Sequence, residues 1–207
     1  MKLNCPENIE IECILFDLDG VMVHPWGFAR LLETKYDISR EATKTFFEKT
    51  FPDCAIDKTD LKDVLPPYLS QWGWKKSVDE FVHEWLVSED LADKEMVDLV
   101  KSLRKAGCKC CLATNQERHR ANFISKEMDF ESLFDHLFIS CNLKTMKPEL
   151  SYFQKIQAAL GIPANKLFFL DDQEHYISAA IECGWNAQVF TSHEDLFDLS
   201  KPFSFSK

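Results

Sequence analysis

Five short apolar runs, at 11–16, 108–113, 136–140, 167–170 and 186–190, punctuate this chain, and stretches of helical period precede the later ones. Each run is too short for a helix and most are bounded by polar or turn residues, which predicts buried strands. Over 93–106, Met96, Val97, Val100 and Leu103 fall at helical spacing, with Gly107 as a stop. The pattern recurs over 149–160 through Leu150, Phe153, Ile156 and Leu160 ahead of Gly161, and over 174–183 ahead of Gly184. Strand alternating with helix calls for a parallel sheet covered on both faces, since each crossover lays its helix on the sheet. The expected fold is α/β, a doubly wound, Rossmann-like parallel sheet.

Residues 25–92 interrupt this alternation. They carry helical patterns (Leu31, Leu32 and Tyr36; Leu61, Leu65 and Leu69; Phe81, Trp85 and Leu86) and no convincing strand. The expectation is an α/β core made of 1–24 and 93–207, with 25–92 inserted as a helical block. A chain of 207 residues suits one domain with such an insertion. Ligands of an open parallel sheet bind at the carboxyl ends of its strands, where the connections diverge.

Composition narrows the function classes. Thirty-four acidic residues against 24 basic ones give a net charge of −10, which argues against a nucleic-acid binder. No apolar stretch approaches the ~20 residues of a membrane span. Acids stand near the N-terminus where a signal peptide would be apolar, so a cytoplasmic protein is expected. Of eight cysteines, Cys108, Cys110 and Cys111 form the one cluster, without the paired spacing of a zinc site. Free buried thiols are expected instead.

The first run leads directly into Asp17-Leu18-Asp19-Gly20. Residues two apart on an extended chain share a side, so Asp17 and Asp19 face one way and Leu18 the other. Two carboxylates that close repel unless a cation or a shared proton intervenes. The second run ends in Thr114-Asn115, a hydroxyl and a following N–H at a strand-to-helix turn, suited to an anion. The fourth ends in Asp171-Asp172, and Lys147-Pro148 precedes the helix at 149. Each has an ordinary account as a cap or a surface charge. All four in order, three of them at strand ends, point to one cleft.

Phe-Asp-Leu-Asp-Gly-Val, Ala-Thr-Asn-Gln, Met-Lys-Pro-Glu and Phe-Leu-Asp-Asp, in this order, resemble the haloacid dehalogenase-like hydrolase superfamily, in its phosphatase branch with a helical cap after the first strand. The resemblance implies a phosphatase of a small phosphorylated metabolite. It makes Asp17 the nucleophile that forms an aspartyl-phosphate and Asp19 the general acid/base. It implies Mg2+ on the Asp17 carboxylate, the Asp19 carbonyl and the Asp172 carboxylate, with Asp171 orienting bound water or Lys147. Thr114 and the N–H of Asn115 would hold phosphoryl oxygens, and Lys147 would neutralise developing charge. A phosphomutase needs the same core, and a non-catalytic phosphate-binding module would keep the fold. A dehalogenase would need neither the metal nor Asp19.

The loop after Gly20 departs from the family pattern, reading Met22-Val23-His24-Pro25-Trp26. Climbing into the cap, it makes His24 and Trp26 the expected substrate contacts, with hinge packing the alternative for Trp26 and a surface position that for His24. Lys75 and Lys76 are expected to be solvated.

Overall fold

The computed structural model describes residues 11–24, 27–89 and 91–192. In chain order, β1 (Cys13–Phe16) leads to five helices: α1 (Gly27–Tyr36), α2 (Arg40–Lys49), α3 (Phe51–Ala55), α4 (Leu61–Gln71) and α5 (Val78–Ser88). Then follow α6 (Lys94–Lys105), β2 (Lys109–Thr114), α7 (Arg118–Lys126), α8 (Phe130–Leu133), β3 (His136–Ile139) and α9 (Ser140–Leu143). The chain closes with α10 (Leu150–Leu160), β4 (Leu167–Asp171), α11 (Glu174–Glu182) and β5 (Asn186–Val189). The strands form one parallel sheet in the order β3-β2-β1-β4-β5, as the alternation predicts.

The sheet's two faces follow from side-chain alternation along fully buried strands. Ile14, Phe16, Cys110, Leu112, Phe168 and Leu170 face Met96, Val100 and Ile124 on one side. Cys13, Leu15, Cys111, Ala113 and Phe169 face Tyr152, Phe153, Ile156 and Ile177 on the other. The cysteine cluster is split between these faces, and the cysteines among the described residues are free. β1 lies between β2 and β4, so the chain turns to opposite sides on either flank of its carboxyl end.

The five helices α1–α5 close on an apolar cluster of their own, including Phe28, Phe46, Leu65, Trp72, Trp74 and Trp85. A reciprocal Ser77–Glu80 capping box starts α5. The chain leaves the sheet past Val23 and returns at Ala92, and these two residues are bridged antiparallel. The Asp93 N–H donates to the Met22 carbonyl at 2.7 Å, fastening the outgoing and returning strands together.

In the α/β core, three helices are absent from the apolar periodicity. In α7 the buried face is Arg120, Ala121 and Ile124, so a charged residue stands where the pattern wants an apolar one. The short α8 and α9 have four residues each, too few to show a period.

Candidate active site

Four loops at the carboxyl edge of the sheet build the floor. Asp17 follows β1 and is held there by its own N–H, which donates to the Leu170 carbonyl at 2.9 Å. The chain then turns sharply at Gly20 (φ +85°), with the Leu18 carbonyl accepting from both Met22 and Val23. A Cβ on Gly20 would lie 2.5 Å from Asp172 Oδ2, so only glycine lets the β1 and β4 loops approach this closely.

Lys147 is the fixed cation of the floor. Its Nζ stands 2.8 Å from Asp17 Oδ1 and 2.5 Å from Asp171 Oδ2, and only 1% of the residue is exposed. Burial works against its charge, but Asp17 and Asp171 outweigh it and hold the ammonium well above the ordinary lysine range. Its backbone is stapled by Asn115, whose Oδ1 accepts from Lys147 N–H at 2.9 Å and whose Nδ2 donates to Lys147 O at 3.0 Å. The Asn115 side chain is thus committed to positioning Lys147.

Asp17, Asp171 and Asp172 each offer an oxygen within 4.8 Å of the others. Asp171 is fully buried, accepting from Gln173 N–H at 2.9 Å as well as from Lys147. With all three ionised, the carboxylates against one ammonium would leave this cluster at −2, a hard all-oxygen donor set short of positive charge. Burial above all, with Asp171 and Asp19 adding to it and Lys147 opposing, pushes Asp17 up to about 7. The residues therefore fit a magnesium ion. Thr114, 1% exposed, closes the floor at the end of β2, its Oγ1 accepting from Gln116 Nε2 at 3.1 Å.

Asp19 shares the cavity with Asp17 but is held by a different cation. Arg120 Nη2 and Nη1 grip its Oδ1 and Oδ2 at 2.6 and 2.9 Å, and Gln116 Nε2 donates to Oδ2 at 2.6 Å. Burial raises the Asp19 carboxyl, but the guanidinium and its hydrogen bonds win and hold it below the ordinary range. Arg120 also pairs with Glu89 just beyond α5, at 3.1 Å. Sequence reasoning missed Arg120, Gln116 and Glu89. The available signal was the Gln116–Arg120 spacing of one helical turn directly after Thr114-Asn115.

A cavity of about 740 Å³ opens above these groups, between the strand ends and α1, α2, α3 and α5. His24 is not in its wall, contrary to expectation: its side chain is 83% exposed, with Nε2 3.7 Å from Asp93. Trp26 lies outside the described residues. Lys76 is engaged by Glu84 at 3.2 Å and Tyr36 at 3.1 Å, on the outside of the helical block.

A profile of the haloacid dehalogenase-like hydrolases matches residues 11–184. The chain belongs to that family. Among solved structures it is similar to the HAD family enzyme BT-2542 of Bacteroides thetaiotaomicron in its magnesium complex, at TM-score 0.78 and 20% identity, covering 93% of this chain and 100% of that one. BT-2542 has also been solved with magnesium and inorganic phosphate. L-2-haloacid dehalogenase of Xanthobacter autotrophicus shares the fold at TM-score 0.68 and 14% identity, over 94% of this chain and 84% of that one. A curated relative, bifunctional epoxide hydrolase 2 of Rattus norvegicus, is 24% identical over 193 residues. That match takes in 82% of this chain but only 34% of the relative's length. As a family member the chain is a hydrolase. Among its described residues no helix is long and apolar enough to cross a membrane.

Proposed function

We propose that this hydrolase is a magnesium-dependent phosphatase acting on a small phosphomonoester, with α1–α5 as a cap over the site. The observation that carries this reading is the buried Asp17–Lys147–Asp171 chain beside Asp172, which sets a nucleophile-type carboxylate among groups that suit a cation and a phosphate together. Asp17 would attack phosphorus and the bond to the leaving oxygen would break, with that oxygen taking a proton from Asp19. Water would then attack the aspartyl-phosphate and give its proton to Asp19, releasing phosphate and restoring the Asp17 carboxylate.

Asp19 stands ionised in the grip of Arg120 and Gln116, the state of a base. Its acid half therefore requires that grip to loosen. Lys147 holds the Asp17 carboxylate in place and opposes the charge on the phosphoryl group, with Asp171 keeping the ammonium aimed. Thr114 and the N–H of Asn115 would hold phosphoryl oxygens. The Asp17 and Asp172 carboxylates and the Asp19 carbonyl would hold magnesium, which when bound neutralises the acid cluster and the phosphoryl oxygens.

The test is phosphate release from an aryl phosphate with magnesium and with chelator. Release that needs magnesium and vanishes in Asp17→Asn is the expected result. No release from any phosphomonoester, with the metal bound, would remove the reading.

A further inference from the structure

The helical block contributes seven apolar side chains to the cavity, four of them aromatic. Phe28 and Leu32 come from α1, Phe47 from α2, Phe51 from α3 and Trp85 from α5. Trp85 stacks on Phe28 at 5.1 Å and 7°, and meets Phe47 and Phe51 at 5.6 Å each. Two polar groups set in this wall, Thr43 and Glu89, are engaged within the protein. Thr43 Oγ1 donates to the Arg40 carbonyl at 3.1 Å. Glu89 accepts from Trp85 Nε1 at 2.9 Å and from Phe28 N–H at 3.5 Å, and pairs with Arg120. Exposed charges of both signs on α2, Arg40, Glu41, Lys44 and Glu48, also line the cavity.

We infer that the substrate's alcohol is apolar, an alkyl or aryl group seated against Phe47 and Phe51, which the buried Phe28, Leu32 and Trp85 back, an inference that rests on the phosphatase reading. A phosphoryl group on Asp17 directs the rest of the ester into this space. A sugar or nucleoside seated against these aromatic rings would surrender its water hydrogen bonds to an apolar surface. An apolar alcohol loses nothing and removes wall and ligand surface from water together. The volume, about 740 Å³, is in the range of pockets that enclose a ligand far larger than phosphate alone.

The experiment measures kcat/KM of the magnesium-loaded enzyme on n-alkyl phosphates from ethyl to octyl, with glucose 6-phosphate and acetyl phosphate as comparators. Transfer of one methylene from water predicts a rise of about four-fold per added carbon until the wall is covered. Phe47→Gln should cut the octyl-to-ethyl ratio at least about ten-fold, a ratio that a general loss of folded protein does not move. Phe51→Gln gives the same reading if the first variant does not fold. A flat series, a preference for glucose 6-phosphate over octyl phosphate, or an unchanged ratio in the folded variants overturns the inference, while turnover of acetyl phosphate leaves the phosphatase reading standing. If acetyl phosphate and every ester are inert, the phosphatase reading fails on its own. Binding of octylphosphonate and ethylphosphonate, followed by tryptophan fluorescence, then judges the cavity: a strong preference for the octyl compound supports the apolar seat, and equal affinity overturns it.

Discussion

Replacing Arg120 with methionine should expose how much of this protein rests on one buried cation. Arg120 is 5% exposed and makes two bonds to Asp19, one to Gln116 Oε1 at 3.0 Å and an ion pair with Glu89. Methionine fills similar space but strands the Glu89 carboxylate, whose side chain is only 11% exposed, and leaves Asp19, 37% exposed, with Gln116 alone in contact. Removing one partner of a buried pair costs about 3–5 kcal/mol. In a domain of this size each kcal/mol moves the melting temperature by about 2–4 °C, so a fall of roughly 6–20 °C is expected. Glu89→Gln in the same background removes the stranded charge. The double variant should therefore recover part of the loss, with a coupling energy of at least about 1 kcal/mol.

The same clamp sets a pH dependence. The Asp19 carboxyl is held below its ordinary value of 3.8, so its contribution is present above that value and is lost as pH falls through the lower folded one. The gap between parent and Arg120→Met should narrow in strong acid. Urea denaturation followed by far-UV circular dichroism, run in chelator across pH, measures all three quantities. A loss below about 1 kcal/mol, or strict additivity with Glu89→Gln, would refute the idea that Arg120 neutralises both acids.

Other perturbations probe the floor and the helical block. Asp19→Asn should slow poor leaving groups such as alkyl esters far more than an activated aryl phosphate, and equal losses on both would contradict an acid role. Burial raises the folded Asp17 carboxyl to about 7 from 3.8, so without metal its contribution is fully present below 3.8 and is lost as pH rises through 7. Magnesium needs the ionised form and should therefore raise the melting temperature more at pH 8 than at pH 5, with equal increments counting against the site. Gly20→Ala places a methyl 2.5 Å from Asp172 Oδ2 at a positive φ, costing roughly 1–3 kcal/mol in backbone strain alone. It should also abolish the magnesium-dependent melting shift, which calorimetry would read. Ser77→Ala removes the α5 capping box and should cost about 1 kcal/mol in chemical denaturation, with no cost if the box is ornamental.

The sheet was legible in the sequence because its signals are local. Each strand is a short apolar run, and the alternation of Ile14 and Phe16 with Cys13 and Leu15 already encodes two buried faces. The chain of motifs from Asp17 to Asp172 was legible for a related reason: each lies at a strand end, and a parallel sheet gathers its carboxyl ends whatever lies between them. What joins distant segments was not legible. Arg120 reads as a surface charge on a weakly patterned helix until α7 is packed against the β1 loop and the end of α5, 101 residues from Asp19 and 31 from Glu89. Asn115 reads as an anion-binding turn residue, yet folding spends its side chain on the backbone of Lys147, 32 residues away. His24 reads as a pocket residue by its place in the chain, but next to the bridged Val23 it stands in solvent beside Asp93. Strand and turn chemistry is written within a few residues of itself; which buried charge meets which, and which side of a loop faces the cavity, is fixed only when separate segments compete for the same space and the same hydrogen bonds.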